Sequence, residues 1–109
     1  MSTTADLDTT LAALADPHRR RVVDLLASGP QSAGALAASV GLTPPAMSRH
    51  LRVLRRSGLV QESSHADDAR VRVYSLRPER FADLKGWLDD VAAFWTDQLQ
   101  AFKDHVENL

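Results

Sequence analysis

Gly41-Leu42-Thr43-Pro44 is the stretch that most narrows what this 109-residue chain can fold into. Each of its punctuating residues has a stereochemical reason to sit between two helices. Glycine takes the left-handed conformation that ends a helix, threonine caps the next with its hydroxyl, and proline fits a first turn where its missing N–H costs nothing. Upstream, Ser32 caps a short helix that turns Leu36, Ala37 and Val40 inward. Downstream, a helix over about residues 44–57 separates into two faces at ~100° per residue. Met47, Leu51 and Leu54 share one face; Pro45, Ser48, Arg49, Arg52 and Arg56 share the other. Two short helices joined by such a turn form a helix-turn-helix.

The flanks extend that unit. Leu7, Leu11 and Leu14 recur at i, i+4 and i+7, which predicts a short amphipathic helix over about residues 6–15. Asp16-Pro17 reads as a cap and first position of another helix, running through Val22, Val23, Leu25 and Leu26 until Ser28-Gly29-Pro30 stops it. After Gly58, residues 59–64 and 71–76 have the β-branched and aromatic content of two strands. His65-Ala66-Asp67-Asp68-Ala69-Arg70 between them makes a hairpin loop, the wing. Pro78 opens a last helix of roughly 30 residues, longer than a small domain usually needs. Phe81, Leu84, Leu88, Val91, Trp95, Leu99, Phe102, Val106 and Leu109 recur along it at steps of three and four, widened by Trp87, Ala92 and Phe94. So broad a stripe exceeds what one domain can cover, and a homodimer seam is the economical partner. The expectation is one domain over residues 1–109, mainly α with a small β-hairpin. It has about five helices and a two-stranded wing, with residues 78–109 as a long C-terminal dimerisation helix.

Charge is distributed unevenly. The chain as a whole carries −1, but residues 43–72 hold six arginines against Glu62, Asp67 and Asp68, whereas residues 77–109 hold four basic and seven acidic groups. A basic middle and an acidic end suit a protein with one surface turned to a polyanion. An α-helix fits the major groove of double-stranded DNA, where arginine can donate two hydrogen bonds to one guanine. On the recognition-helix candidate, which begins at Thr43, the expected groove contacts are Thr43, Pro45, Ala46, Ser48 and Arg49. Arg52, Arg55 and Arg56 lie further along, better placed for phosphates. Arg70 and Arg72 near the wing tip can reach a minor groove, Arg70 as the stronger contact and Arg72 as a phosphate clamp. Taken alone, arginines on a helix are also what a solvated face looks like. A winged helix used only as a protein-interaction module would keep the fold without the basic face, and the clustered arginines argue against it. Cysteine is absent, no apolar run reaches the ~20 residues of a membrane span, and Met1-Ser2-Thr3-Thr4-Ala5-Asp6 lacks signal-peptide character. A cytoplasmic protein that meets no membrane is therefore expected.

In order and spacing, the chain resembles the ArsR family of winged-helix repressors over nearly its whole length. The resemblance rests on Ala12-Ala13-Leu14-Ala15-Asp16-Pro17-His18-Arg19-Arg20, on Met47-Ser48-Arg49-His50-Leu51-Arg52-Val53-Leu54 leading to Gly58-Leu59-Val60, and on Arg70-Val71-Arg72-Val73-Tyr74-Ser75-Leu76. It implies a dimer through the first and last helices, with Leu7, Leu11, Leu84, Leu88, Val91, Trp95 and Leu99 at the interface, and repression from a palindromic operator. It also implies groove contact by Pro45, Ala46, Ser48 and Arg49, where the helix faces already put it.

The departures from the family concern metals. Members that sense metal through the third helix place paired cysteines there, and here the stretch is Gly34-Ala35-Leu36-Ala37-Ala38-Ser39. Others use Asp-x-His and a later ligand along the last helix, where this chain has only His105. No metal switch of either type and no cofactor are expected. Trp87-Leu88 and Phe94-Trp95 resemble the metal-independent branch, often encoded beside a START-type lipid-binding-like partner. A repressor released by a small molecule near the dimer helices stays open, its effector unknown. His50, ~60° off the apolar face, is expected to pack and hydrogen-bond, and His18 to be a surface group beside Arg19 and Arg20. Asp89-Asp90 diverge by ~100° on a helix and cannot converge on one substrate atom, and Ser48 and His50 do not face each other. No catalytic residue and no enzyme are expected.

Overall fold

In a computed structural model the described residues are 3–65 and 67–109, with side chains from Asp6 onward. Met1 and Ser2 of the N-terminal segment and Ala66 of the wing loop lie outside them. The elements follow in the order α1 (Thr3–Leu14), α2 (Pro17–Leu26), β1 (Gln31–Ser32), α3 (Ala33–Val40), α4 (Pro44–Arg56), β2 (Val60–Ser64), β3 (Arg72–Leu76) and α5 (Pro78–Glu107).

Helix boundaries fall where the cap chemistry requires. The Asp16 carboxylate accepts from the backbone N–H of His18 at 2.8 Å and of Arg19 at 3.1 Å. Ser32 accepts from Ala35 N–H at 3.1 Å, and Thr43 from Ala46 N–H at 3.3 Å. Between α3 and α4 the chain turns at Gly41 with φ +79°, a conformation that a side chain would strain. The helix-turn-helix thus closes at the two residues assigned to it from sequence.

The core sits where α2, α3, α4 and the sheet converge. Val22, Leu36, Met47, Leu51, Leu54 and Leu59 are fully enclosed, and Leu26, Ala37, Val60 and Ala13 complete the cluster. Every residue assigned to the inner face of α4 is buried, while Pro45, Ser48, Arg49, Arg52 and Arg56 are exposed. On α1 the inward positions are Ala13 and Thr10, whose hydroxyl donates to the Asp6 carbonyl at 3.0 Å. Leu7 and Leu14 are half-buried and Leu11 is exposed, so the leucine stripe of α1 faces only partly inward.

The sheet differs from expectation by one strand. It has three antiparallel strands in the order β1-β3-β2, with Gln31 opposite Tyr74, Ser32 opposite Val73, and the hairpin running from Val60 opposite Leu76 to Ser64 opposite Arg72. A strand of two residues has no alternation to detect, and Ser32 serves both as its end and as the cap of α3. The pairing gives β3 neighbours on both sides, anchoring the wing to the helix-turn-helix.

Candidate nucleic-acid interface

Burial of Met47, Leu51 and Leu54 fixes the rotation of α4 about its axis, and that rotation decides what the opposite side presents. Pro45, Ser48 and Arg49 stand exposed in the first half, with Ala46 half-buried beside them. Thr43 is exposed at the start, its hydroxyl oxygen committed to the cap. Arg52 and Arg56 follow, lining with Arg55 a shallow hollow of about 340 Å³. Among the described residues, Arg49, Arg52 and Arg56 form no ion pair with a carboxylate, so their guanidinium groups are available to an external anion.

The wing is organised by a residue that charge counting treated only as an acid. Glu62 on β2 lies directly opposite Tyr74 on β3, on the same face as the Ser64–Arg72 pair. Its half-buried carboxylate accepts from Arg55 of α4 at 2.7 Å and from the Tyr74 hydroxyl at 3.2 Å, and it forms an ion pair with Arg72 at 3.3 Å. Partial burial raises the Tyr74 phenol above its ordinary range, and the Glu62 charge adds to the effect. Arg72 also donates to the Ser64 hydroxyl at 3.3 Å. Glu62 therefore ties the end of α4 to the hairpin and holds Arg72 against the protein. Arg70 lies outside the strand, in a turn closed by the Val71 N–H to Asp68 carbonyl bond at 3.0 Å. Its side chain is 91% exposed and pairs with Asp68 at 3.2 Å. Hydrogen bonding from the Arg70 side chain, then from its backbone N–H, lowers the Asp68 carboxyl below its usual value against a small desolvation.

His50, on the flank of α4, is largely enclosed, with its Nδ1 3.3 Å from the Arg19 guanidinium. Arginine is always a donor, so Nδ1 is the accepting nitrogen. Arg19 in turn donates to the carbonyls of Ala13 at 2.6 Å and Ala12 at 3.3 Å, binding the end of α1 to α2 and α4.

At the other end of the molecule α5 contains 30 residues and no buried side chain. Phe81 packs against the core, Leu84 and Val91 are half-buried, and Arg80 pairs with Asp6 of α1 at 2.7 Å. Beyond them Trp87, Leu88, Phe94, Trp95, Leu99 and Phe102 are exposed, at 42%, 50%, 55%, 59%, 66% and 67%. The Cα radius of gyration, 18.8 Å, exceeds the about 13 Å of an ordinary domain of this length because the helix projects. None of the described helices is long and apolar enough to cross a membrane.

Known proteins share this arrangement. A family described as a helix-turn-helix domain matches residues 14–62. The HTH-type transcriptional regulator Rv2034 of Mycobacterium tuberculosis is 37% identical over 108 residues, covering 99% of this chain and 95% of the relative. A solved structure of an ArsR-like transcriptional regulator from Rhodococcus sp. RHA1 superposes with a TM-score of 0.77 at 28% identity, over 95% of each chain. This chain belongs to the ArsR family. It is a DNA-binding transcriptional regulator, a class without enzymatic activity. The transcriptional repressor SdpR of Bacillus subtilis is a further relative, 32% identical over 70% of this chain and 81% of its own length.

Within this ArsR-family chain, Pro45, Ser48, Arg49, Arg52 and Arg56 form one exposed surface of α4 with Ala46 half-buried beside them, and Arg70 and Arg72 stand on the wing. Sequence reasoning missed Glu62 and Arg55 as a structural link. The signal was present in the hairpin register, which sets Glu62 opposite Tyr74. It also read Asp16, His18 and His50 one at a time. The fold sets them together: Asp16 Oδ1 is 3.8 Å from His18 Nδ1 and 4.0 Å from His50 Nδ1, and the two rings lie 5.5 Å apart.

Proposed function

We propose that this regulator acts in the cytoplasm as a repressor, binding a palindromic operator as a homodimer without a metal switch of the cysteine or last-helix type. α4 lies in the major groove, where Arg49 reads a guanine and Pro45, Ala46 and Ser48 allow close approach; Arg52 and Arg56 hold phosphates. The wing reaches the flanking minor groove with Arg70, while Arg72, oriented by Glu62, clamps the backbone. The observation that carries this reading is the row of exposed arginines without acidic partners on the face of α4 opposite Met47, Leu51 and Leu54. The exposed tryptophans and leucines of α5 support the dimer, since a patch of that extent marks an interaction surface. The relative SdpR, named a transcriptional repressor, supports the sign of regulation.

Sequencing genomic fragments retained by the protein tests the proposal. An inverted repeat should be enriched, with half-sites about one helical turn apart and two chains bound per duplex. Enrichment of no sequence, or of a single half-site bound by one chain, would contradict it.

A further inference from the structure

The cluster at the start of α2 has a donor set that its structural duties do not exhaust. We propose that Asp16, His18 and His50 bind a divalent cation of the zinc class, joining the start of α2 to the recognition helix α4. Two imidazole nitrogens and a carboxylate oxygen are the ligands that zinc and its neighbours prefer, and three protein ligands leave a position for water. The candidate ligand atoms all lie within 4.8 Å of one another. Around an ion with bonds of ~2.0–2.2 Å they would stand about 3.3–3.5 Å apart, so the site closes by side-chain shifts of under about 1 Å.

Two of the three ligands are already held in place. The Asp16 carboxylate is fixed by the two backbone N–H bonds of the α2 cap. His50 turns the lone pair of Nδ1 toward the cluster, as its acceptance from Arg19 requires. His18 is the third donor, one turn position after Pro17, with a side chain 48% exposed. The spacing Asp16-Pro17-His18 is itself an Asp-x-His pair, on α2 rather than on the last helix.

Arg19 sets the strength of the site. Its guanidinium now contacts His50 Nδ1, and an ion there takes over that contact while Arg19 keeps its bonds to the Ala12 and Ala13 carbonyls. A fixed positive charge beside the ion weakens binding, so the site belongs with exchangeable cations rather than with closed structural zinc.

His18 separates the proposal from a purely structural cluster. Asp16 caps a helix and His50 packs whether or not an ion binds; the exposed His18 ring has no such duty. Tag-free, chelator-treated full-length protein is titrated with zinc by calorimetry and with cobalt(II) by visible absorption. The wild type should bind one ion per chain, give cobalt bands of nitrogen and oxygen ligation, and gain thermal stability with rising zinc by mass action. His18→Ala and His50→Gln, the latter keeping an acceptor for Arg19, should each weaken binding at least about tenfold. His65→Ala and His105→Ala should leave it unchanged. Lack of saturable binding to the wild type, or affinity retained in either His18→Ala or His50→Gln, overturns the assignment.

Discussion

Helices α4 and α5 repeat apolar residues at the same helical spacing, yet end in opposite circumstances. In α4 the repeat is narrow, and Met47, Leu51 and Leu54 are wholly enclosed by residues of their own chain. In α5 it is broad and more than twice as long, and Leu88, Trp95 and Leu99 remain at least half exposed. Periodicity alone therefore says that a face is apolar; its width and length against the size of the domain say whether the partner lies within the chain. The two helices also differ in what the remaining face does. That of α4 is basic and unpaired, whereas α5 carries acids and local pairs such as Lys85–Asp89 at 2.7 Å. One helix buries its apolar face in folding and leaves its basic face exposed, the face proposed for DNA; the other leaves most of its apolar face exposed, the face proposed for assembly.

The contrast breaks most completely at Leu88 and Val91. Replacing both with Asp places unpaired charge in the proposed seam, and sedimentation should show loss of the dimer at micromolar concentration. A dimer that persists would assign the α5 surface another role. A matched pair of truncations sharpens the same point. Leu54→Ala should lower the unfolding free energy of the subunit by about 2–5 kcal/mol, as for other enclosed leucines. Leu99→Ala, 66% exposed, should leave denaturant unfolding of dilute monomer nearly unchanged and weaken only association. Equal effects in urea titrations would mean that the two helices share one core.

Smaller effects belong to the wing. If Arg72 clamps a phosphate as proposed, Arg72→Ala should flatten the slope of log affinity against log salt by ~0.9; an unchanged slope would show that Glu62 keeps Arg72 off the DNA. Asp68→Asn frees Arg70 and should tighten binding modestly while steepening that slope. The sign with pH agrees. Because the Asp68 carboxyl is lowered, its pairing with Arg70 is complete above the ordinary carboxylate range and is lost as pH falls through the lowered value, so the wild type should resemble Asp68→Asn only in acid. A wing titration followed by NMR checks this, and a pairing lost already near neutrality would contradict it.

The legibility of these features in the sequence follows the range of the interactions. Caps at Asp16, Ser32 and Thr43 and the turn at Gly41 are local chemistry, and so are the faces of α4; all could be read from neighbouring residues. β1 could not, because the two residues Gln31 and Ser32 become a strand only when Tyr74 and Val73 arrive beside them. The Glu62 link to Arg55 and Arg72 depends on hairpin register and on the position of α4. The Asp16–His18–His50 cluster depends on the packing of α2 against α4, which brings His50 beside residues more than thirty positions earlier. On the wing, the pair between Asp68 and Arg70 is local, whereas the tie from Arg72 to Glu62 crosses between strands.

The central claim is that the outward face of α4 reads base pairs while its far end only holds the backbone. Affinities of Arg49→Ala and Arg56→Ala for the operator, for operators changed at each half-site position, and for a scrambled duplex, all at one salt concentration, test it most directly. Arg49→Ala should lose about 1–3 kcal/mol at the operator and lose its preference at one base pair per half-site. Arg56→Ala should weaken operator and scrambled duplex alike. If both variants lose affinity with every base preference intact, α4 does not read sequence through Arg49, and the claim fails.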